Sequence, residues 1–314
     1  MAKPERVAVI GAGGFLGTNL VRFLVSRVEK VRCYSRRRTF PEALQGLSWV
    51  TGELADARLA ETVAGCDVVI HLASTSTPAT ADRDIAADAQ ANVMGSLRLM
   101  EHCVAGHVGR LVFLSSGGTI YGIPAVIPTP ESAPTDPITA YGVAKLAVEK
   151  YLEIFRRQHD LDYRVLRVAN VYGPYQTTEK GQGIVAAFLA HALAKQPLEI
   201  WGDGQVVRDY VFISDVVAAI WAAMLHNGPH RIFNIGGGTG ASVLQIAAAI
   251  EQMVGHPLQR RFHPARPVDV PVSILDHSLA TDELGWKPAV NLEQGLVQTL
   301  EWLRQHRSRQ TDSL

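Results

Sequence analysis

Residues 7–17, VAVIGAGGFLG, carry an apolar strand straight into three glycines, Gly11, Gly14 and Gly17, and on into a helical pattern. Few chain paths accommodate that order. The turn has to be tight, the helix has to lie close against the strand before it, and the helix begins with unpaired backbone N–H groups. A helix end of that kind draws negative charge. Placed at the first strand of a strand–helix–strand unit, the trio reads as a cradle for the pyrophosphate of a dinucleotide.

The chain after it keeps the same rhythm. Strands are expected at Arg6–Ile10, Val31–Tyr34, Ser48–Thr51, Asp67–Leu72, Leu111–Ser115 and Tyr163–Val168, with helices at Phe15–Val28, Asp84–Ala105 and Ala140–His159. Such alternation demands a parallel sheet covered on both faces. Beyond Pro174 the pattern loosens into a helix at QGIVAAFLAHALAKQ, a short strand in PLEIWGDG and a helix capped by Ser214 or Asp215. A buried strand in RIFNIGGG then returns to the main sheet, and the tail supplies two more helices. The expected fold class is α/β, a Rossmann-type doubly wound parallel sheet with a smaller, mixed α/β carboxyl-terminal substrate domain. Residues 1–173 are expected to form the dinucleotide-binding domain with 207–236 returning to it, and residues 174–206 and 237–314 the substrate domain.

Thirty Lys and Arg balance thirty Asp and Glu, which argues against nucleic acid or an anionic membrane as partner. The opening MAKPERVAVIGAGG offers no apolar leader, and no run is long enough to span a bilayer. Cys33, Cys66 and Cys103 are odd in number, far apart and form no CxxC pair, which suits buried thiols in a reducing cytoplasm. No metal is expected. His71, in VIHLAS, has no metal-spaced partner and reads as structural.

The stretch LVFLSSGGTIYG ends a buried strand in hydroxyls and glycines, Ser116 and Thr119 among them, where open α/β sheets bind their ligands. Tyr141 and Lys145, in YGVAK, stand four apart and so share a helix face. A phenol ordinarily titrates near pH 10. A neighbouring ammonium, together with a positive nicotinamide ring, is expected to favour phenolate and make Tyr141 a usable base.

The G-x-x-G-x-x-G spacing together with YGVAK resembles the short-chain dehydrogenase/reductase superfamily, in its extended branch. The segments DVVIHLAS, SSGGTIYG, RVANVYGP, WGDGQVVRDYVFISDV, FNIGGG and ARPVDVPVSILDHSLATDELGWKP carry the likeness along almost the whole chain. It is similar to the nucleotide-sugar epimerases and dehydratases, closest to UDP-glucose 4-epimerase-like enzymes. The resemblance implies NAD or NADP held by Gly11, Gly14, Phe15, Leu16, Gly17, Ser35, Arg36, Glu53, Leu54, Leu72, Ala73, Ser74, Asn92, Tyr141 and Lys145. It assigns Tyr141 as acid/base, with Lys145 also on the nicotinamide ribose. It implies that Arg208, Arg266 and Asp269 bind the diphosphate and ribose of the substrate, that Asn170 touches its phosphate, and that Trp201 lies near its uracil.

The implied activity is 4-epimerisation of a nucleotide sugar through a transient 4-keto sugar, on UDP-glucose/UDP-galactose or their N-acetylated forms. The alternatives are an NADP-dependent 4-keto-sugar reductase or a cofactor-sensing binding protein that has lost catalysis. Dehydratases of the branch carry an acidic pair where this chain has Gly118 and Thr119, and the related decarboxylases a glutamate at the Thr119 position, so both activities are disfavoured. Relatives place Ser or Thr where this chain has Gly117; Ser116, ahead of Thr119, is expected to supply the missing hydroxyl. An acid after the second strand commonly holds the adenosine ribose of NAD. Ser35 stands there, followed by Arg36, Arg37 and Arg38, which tilts the expectation toward NADP. A homodimer is expected through helices Asp84–Ala105 and Ala140–His159, with Val93, Leu97, Leu146 and Leu152 in the seam.

Overall fold

Runs such as Val7–Ile10 and Val68–His71 have no polar alternation, and a strand of that kind is stable only when covered on both faces. The computed structural model, which describes residues 3–36, 47–78, 80–177, 183–266 and 269–311, buries all of these side chains. In chain order the strands are β1 (Arg6–Ile10), β2 (Lys30–Ser35), β3 (Ser48–Thr51), β4 (Val68–His71), β5 (Arg110–Ser116) and β6 (Tyr163–Val168). After them come β7 (Asn170–Tyr172), β8 (Leu198–Trp201), β9 (Val207–Phe212), β10 (Ile232–Ile235), β11 (Gly240–Ser242), β12 (Arg260–His263) and β13 (Val272–Ser273).

Seven of them form one sheet in the order β10-β6-β5-β4-β1-β2-β3, with every pairing parallel. The direction of strand addition reverses between β1 and β4, and at such a switch point a crevice opens at the carboxyl ends of the strands. One apolar cluster fills the face under the first helix (Phe15–Leu24) and helix Ile213–Leu225; a second fills the face under helices Gly95–Ala105 and Ala140–His159. This is the doubly wound arrangement. Within 207–236, β10 lies at the edge of the large sheet beside β6, whereas β9 is the centre of a small sheet with β7, β11 and β13. β8 pairs with β12, a strand the sequence reading did not anticipate.

Three local expectations are corrected. The helix expected over Asp84–Ala105 is broken into a 3-10 turn at Ala81–Arg83, an α turn at Ile85–Asp88, a π-helical stretch at Ala89–Met94 and the α-helix Gly95–Ala105. The wider π turn carries Asn92, whose amide donates to Asp88 Oδ1 and Ser76 Oγ and accepts from Thr75 N at 2.9 Å. Neither Ser214 nor Asp215 caps helix Ile213–Leu225, which is preceded by Phe212. Asp215 instead accepts from Ala289 N and Val290 N, tying the tail to this helix. The first helix ends at Leu24 rather than Val28. Among the described residues no helix is long and apolar enough to cross a membrane, and the three cysteines are buried and form no disulfide.

Candidate active site

The glycine loop is as close-packed as its spacing demands. Gly11 has φ +95°, a region that side chains rarely adopt, and a Cβ there would meet Ala73 N at 2.8 Å. A Cβ on Gly17 would sit 2.3 Å from Gly11 O, so the helix touches the turn backbone to backbone. At Gly14 the situation differs: a Cβ would meet only Gly11 O, at 3.4 Å. Gly14 is also the N-cap of the helix Phe15–Leu24, which has no side-chain cap and no acid in its first turn. The end of the helix is thus uncapped and glycine-lined, the features a pyrophosphate requires. Phe15 and Leu16 begin the helix and pack, half-buried, on the core.

Across the switch point, Ala73, Ser74, Asn92, Ser96, Phe113, Tyr141, Ala144, Lys145 and Val148 line one small cavity. Five of the residues singled out from sequence therefore converge there. The helix Ala140–His159 positions two of them: Thr139 Oγ1 caps it by accepting from Gly142 N, and its fourth and eighth residues beyond Tyr141 are Lys145 and Glu149. Lys145 Nζ donates to Leu114 O at 2.8 Å and lies 5.6 Å from the centre of the Tyr141 ring. Burial pushes the Lys145 ammonium down to about 8, against the raising influence of Glu149 and Asp88. Burial, with Asp88, pushes the Tyr141 phenol up to about 12. The expected lowering of Tyr141 is therefore not a property of these protein groups alone: burial and the Asp88 carboxylate both favour the protonated phenol.

Ser116 ends β5 and Thr119 lies in the following turn, Gly117–Ile120. Thr119 Oγ1 donates back to Ser116 O at 3.4 Å, while Ser116 Oγ has no hydrogen-bond partner among the described residues. Thr119 O abuts the start of the Tyr–Lys helix, 2.8 Å from where a Cβ on Gly142 would be. A Cβ on Gly118 would stand 4.0 Å from Asn170 Oδ1, so the exposed Asn170 faces this turn.

The remaining residues fall into two further groups. Arg208 Nη2 lies 3.5 Å from Asp269 Oδ1, and Arg208 Nη1 donates to Val270 O. Trp201 is 41% exposed, stacked on His263 and covered by the Arg266 guanidinium at 4.2 Å, so it is not a core tryptophan. At the other end of the crevice, Ser35 closes β2 beside Thr51 and Arg36 is exposed. Glu53 is exposed and accepts on its carbonyl from Tyr34 Oη at 2.6 Å; Leu54 packs against Gly95, and Leu72 N donates to Ile10 O. Arg37 and Arg38 lie outside the described residues.

Sequence reasoning missed Glu149 and Arg167, both buried, with Arg167 Nη2 donating to Glu149 Oε2 at 2.7 Å. Two signals were present: Glu149 continues the Tyr141–Lys145 stripe at i+8, and an arginine inside a fully buried strand needs an anion. Among the described residues no group of three His, Cys, Asp or Glu could hold a metal.

The chain is similar to known proteins over most of its length. Residues 7–236 match the NAD dependent epimerase/dehydratase family. The UDP-glucose 4-epimerase of Mycolicibacterium smegmatis is 36% identical over 315 residues, covering 95% of this chain and 98% of that relative. A structure of UDP-glucose 4-epimerase from Thermotoga maritima with UDP-glucose superposes with TM-score 0.92 at 37% identity, covering 96% of this chain and 99% of that one. The Thermus thermophilus UDP-glucose 4-epimerase complex with NAD gives TM-score 0.89 at 30% identity, covering 95% and 99%.

His71 generates the first prediction. Its Nε2 is 2.8 Å from Ser96 Oγ, and because that hydroxyl donates to Asn92 O, Nε2 must carry the proton. Nδ1 is buried without a partner, and burial, then Lys145, pushes the ring down to about 3. A folded pKa below the unfolded value means that stability is lost as pH falls below about 6.5, since only the unfolded ring then charges. Denaturant unfolding at pH 7 and pH 5 is expected to differ by about 2 kcal/mol less in His71→Leu than in the parent. An unchanged difference would refute the assignment.

Proposed function

Because this chain belongs to the NAD dependent epimerase/dehydratase family, we propose that it inverts C4 of a UDP-hexose, UDP-glucose/UDP-galactose or their N-acetylated forms. The observation that carries this reading is a cavity lined by both Tyr141 and Lys145, on a helix whose start abuts a strand-end turn offering hydroxyls and no carboxylate. Gly118 and Thr119 have no group able to move the proton that a 4,6-elimination requires. The uncapped, glycine-lined start of helix Phe15–Leu24 suits a dinucleotide pyrophosphate. A dinucleotide held there would supply the hydride acceptor and donor that the C4 inversion needs.

The residues of the chain then divide the work. Tyr141 Oη takes the C4 hydroxyl proton as the C–H bond breaks, and gives it back when the 4-keto sugar has turned over. Lys145, held through Leu114 O, places its ammonium 5.6 Å from the centre of the Tyr141 ring, where positive charge favours the phenolate. Ser116, with its hydroxyl uncommitted, hydrogen-bonds the reacting oxygen, whereas Thr119 serves its own turn. Arg208, Arg266 and Asp269 hold the diphosphate and ribose, the guanidinium forks matching phosphate oxygens. Asn170 reaches the phosphate from beside Gly118, and Trp201 borders the base.

Two finer features belong to the same proposal. Ser35 puts no carboxylate against a 2′-phosphate, and Arg36 adds exposed positive charge, so the adenosine end admits NADP as well as NAD. The chain pairs with a second copy through the outer face of helix Ala140–His159 and its neighbour. Leu152 does not belong to that seam, being fully buried under the chain's own sheet, and Leu97 and Leu146 are half-buried in the same chain's clusters. The outward row is Val143, Tyr151 and Ile154 at helical spacing, with Met94 beside them.

Incubation with UDP-galactose is expected to yield UDP-glucose, and release of a 4-keto-6-deoxy sugar would replace the epimerase reading by a dehydratase. Tyr141→Phe is expected to lower turnover by about 10²–10⁴ and Ser116→Ala by less, with dinucleotide retained in both. Normal turnover in Ser116→Ala with a crippled Thr119→Val would move the hydroxyl role to Thr119. Titrating dinucleotide-free protein is expected to give Kd values for NAD and NADP within about tenfold, about 1.4 kcal/mol. Binding of NAD alone would overturn the adenosine assignment. Light scattering is expected to give twice the chain mass for the parent and the chain mass for Ile154→Glu; a monomeric parent would reject the pairing.

A further inference from the structure

Below the cavity lies a charge pair that the proposed chemistry does not use. Glu149 and Arg167 are 3% and 4% exposed. Taking two charges out of water costs several kcal/mol per ion and is recovered only where geometry and hydrogen bonding are complete. Here the partners are specific. Glu149 Oε1 accepts from Ser115 Oγ at 2.5 Å, and Arg167 Nη1 donates to Tyr121 Oη at 2.9 Å. Ser115 and Tyr121 frame the stretch Ser116–Ile120, one on each side of the residues that carry the candidate hydroxyls.

The other attachments point to the same place. Glu149 lies one helical turn beyond Lys145, and Lys145 Nζ donates to Leu114 O, the residue before Ser115 on β5. Ser115 and Arg167 are direct partners across β5 and β6. Tyr121 Oη in turn donates a hydrogen bond to Asn234 Oδ1 on β10. The helix with Tyr141 and Lys145, the strand ends and the intervening turn are thus pinned at one buried junction.

We propose that the Glu149–Arg167 pair is a positioning device, gripping both ends of the Ser116–Ile120 turn and holding it at a fixed height against Tyr141 and Lys145. The proposal rests on the reading that those residues react with the sugar. Both members of the pair act on the turn through Ser115 and Tyr121, and Glu149 besides supports the charge on Lys145, an effect that Ser115→Ala with Tyr121→Phe leaves in place. A hydrophobic pair of the same volume would fill the space, but it would not direct the turn, because charge-assisted hydrogen bonds are short and directional. A misplacement of about 1 Å at a reacting group is enough to cost about 10²-fold in rate.

Two variants test it. Ser115→Ala with Tyr121→Phe removes both grips and leaves the pair intact. Glu149→Gln with Arg167→Met removes both charges together, because Glu149→Gln alone would strand a buried guanidinium and prevent folding. In either folded double variant, amides of the turn are expected to exchange hydrogen about tenfold faster, with β1 and β4 unchanged. With sugar nucleotide, kcat is expected to fall about tenfold or more while KM stays within about threefold, on the scale of a sub-ångström misplacement. Unchanged exchange in the turn, or kcat within about twofold of the parent, would overturn the proposal and leave the pair a structural filler. A parent protein without sugar-nucleotide turnover would sink the proposed function instead, and the exchange measurement alone would then decide the positioning role.

Discussion

The arrangement depends on how one helix is fastened to one strand. Lys145 Nζ donates to Leu114 O, and four residues on, Glu149 accepts from Ser115 Oγ, so successive turns of helix Ala140–His159 grip successive residues of β5. Parallel pairing then transmits the register of β5 to β4 and β6. A one-residue slip would carry Lys145 off its acceptor and leave Glu149 and Arg167 as unpaired buried charges, a penalty comparable with the whole stability of a domain. The cavity between Tyr141 and Phe113 exists because that slip is forbidden.

The same fastening explains an apparent conflict. Burying Tyr141 and Lys145 drives each toward its neutral form, the phenol up to about 12 and the ammonium down to about 8. A tyrosine that takes protons near neutrality needs its phenol value lowered while the lysine beside it stays charged, and a dry pocket works against both. Glu149 and Asp88 support the lysine charge, and Asp88 at the same time opposes the phenolate. The protein groups alone therefore leave a protonated tyrosine, so additional positive charge beside the ring is what would make it a base.

Most of the architecture was legible because burial on two faces leaves an unmistakable trace: the seven strands of the large sheet, its helices and the glycine turn follow from apolar runs and their spacing. The break at Ala89–Met94 was not legible, since its cause is the commitment of Asn92 to Thr75 and Ser76, partners sixteen and seventeen residues away. β12 was missed for a similar reason: RRFH is polar and exposed, and only its pairing with β8 makes it a strand. At the site, hydroxyls and the Tyr–Lys pair announce themselves by type and spacing. Glu149 and Arg167 lie far apart in sequence, and what joins them is the parallel register of β5 and β6, which no local pattern encodes.

Gly117 shows how the small sheet around β9 and the strand-end turn after β5 constrain one another. A Cβ there would lie 2.4 Å from Leu275 Cδ1 and 3.0 Å from Arg167 O, so Leu275 already fills the space of a side chain. Leu275 cannot retreat freely. Its backbone N–H is held by the buried Asp209 carboxylate, which also accepts from Gly237 N and Gly238 N and is pushed up to about 6 by burial. Asp209 follows Arg208 on β9, and Leu275 follows β13, which pairs with β9 at Arg208. The strands that carry the proposed diphosphate contact therefore end by propping the turn beneath the proposed reacting hydroxyl. A serine at position 117 would have to displace Leu275 and loosen that link, whereas a hydroxyl at Ser116 is compatible with it. On the proposed reading, the absence of a side chain at Gly117 is the consequence of packing the nucleotide-holding strands directly against the catalytic turn.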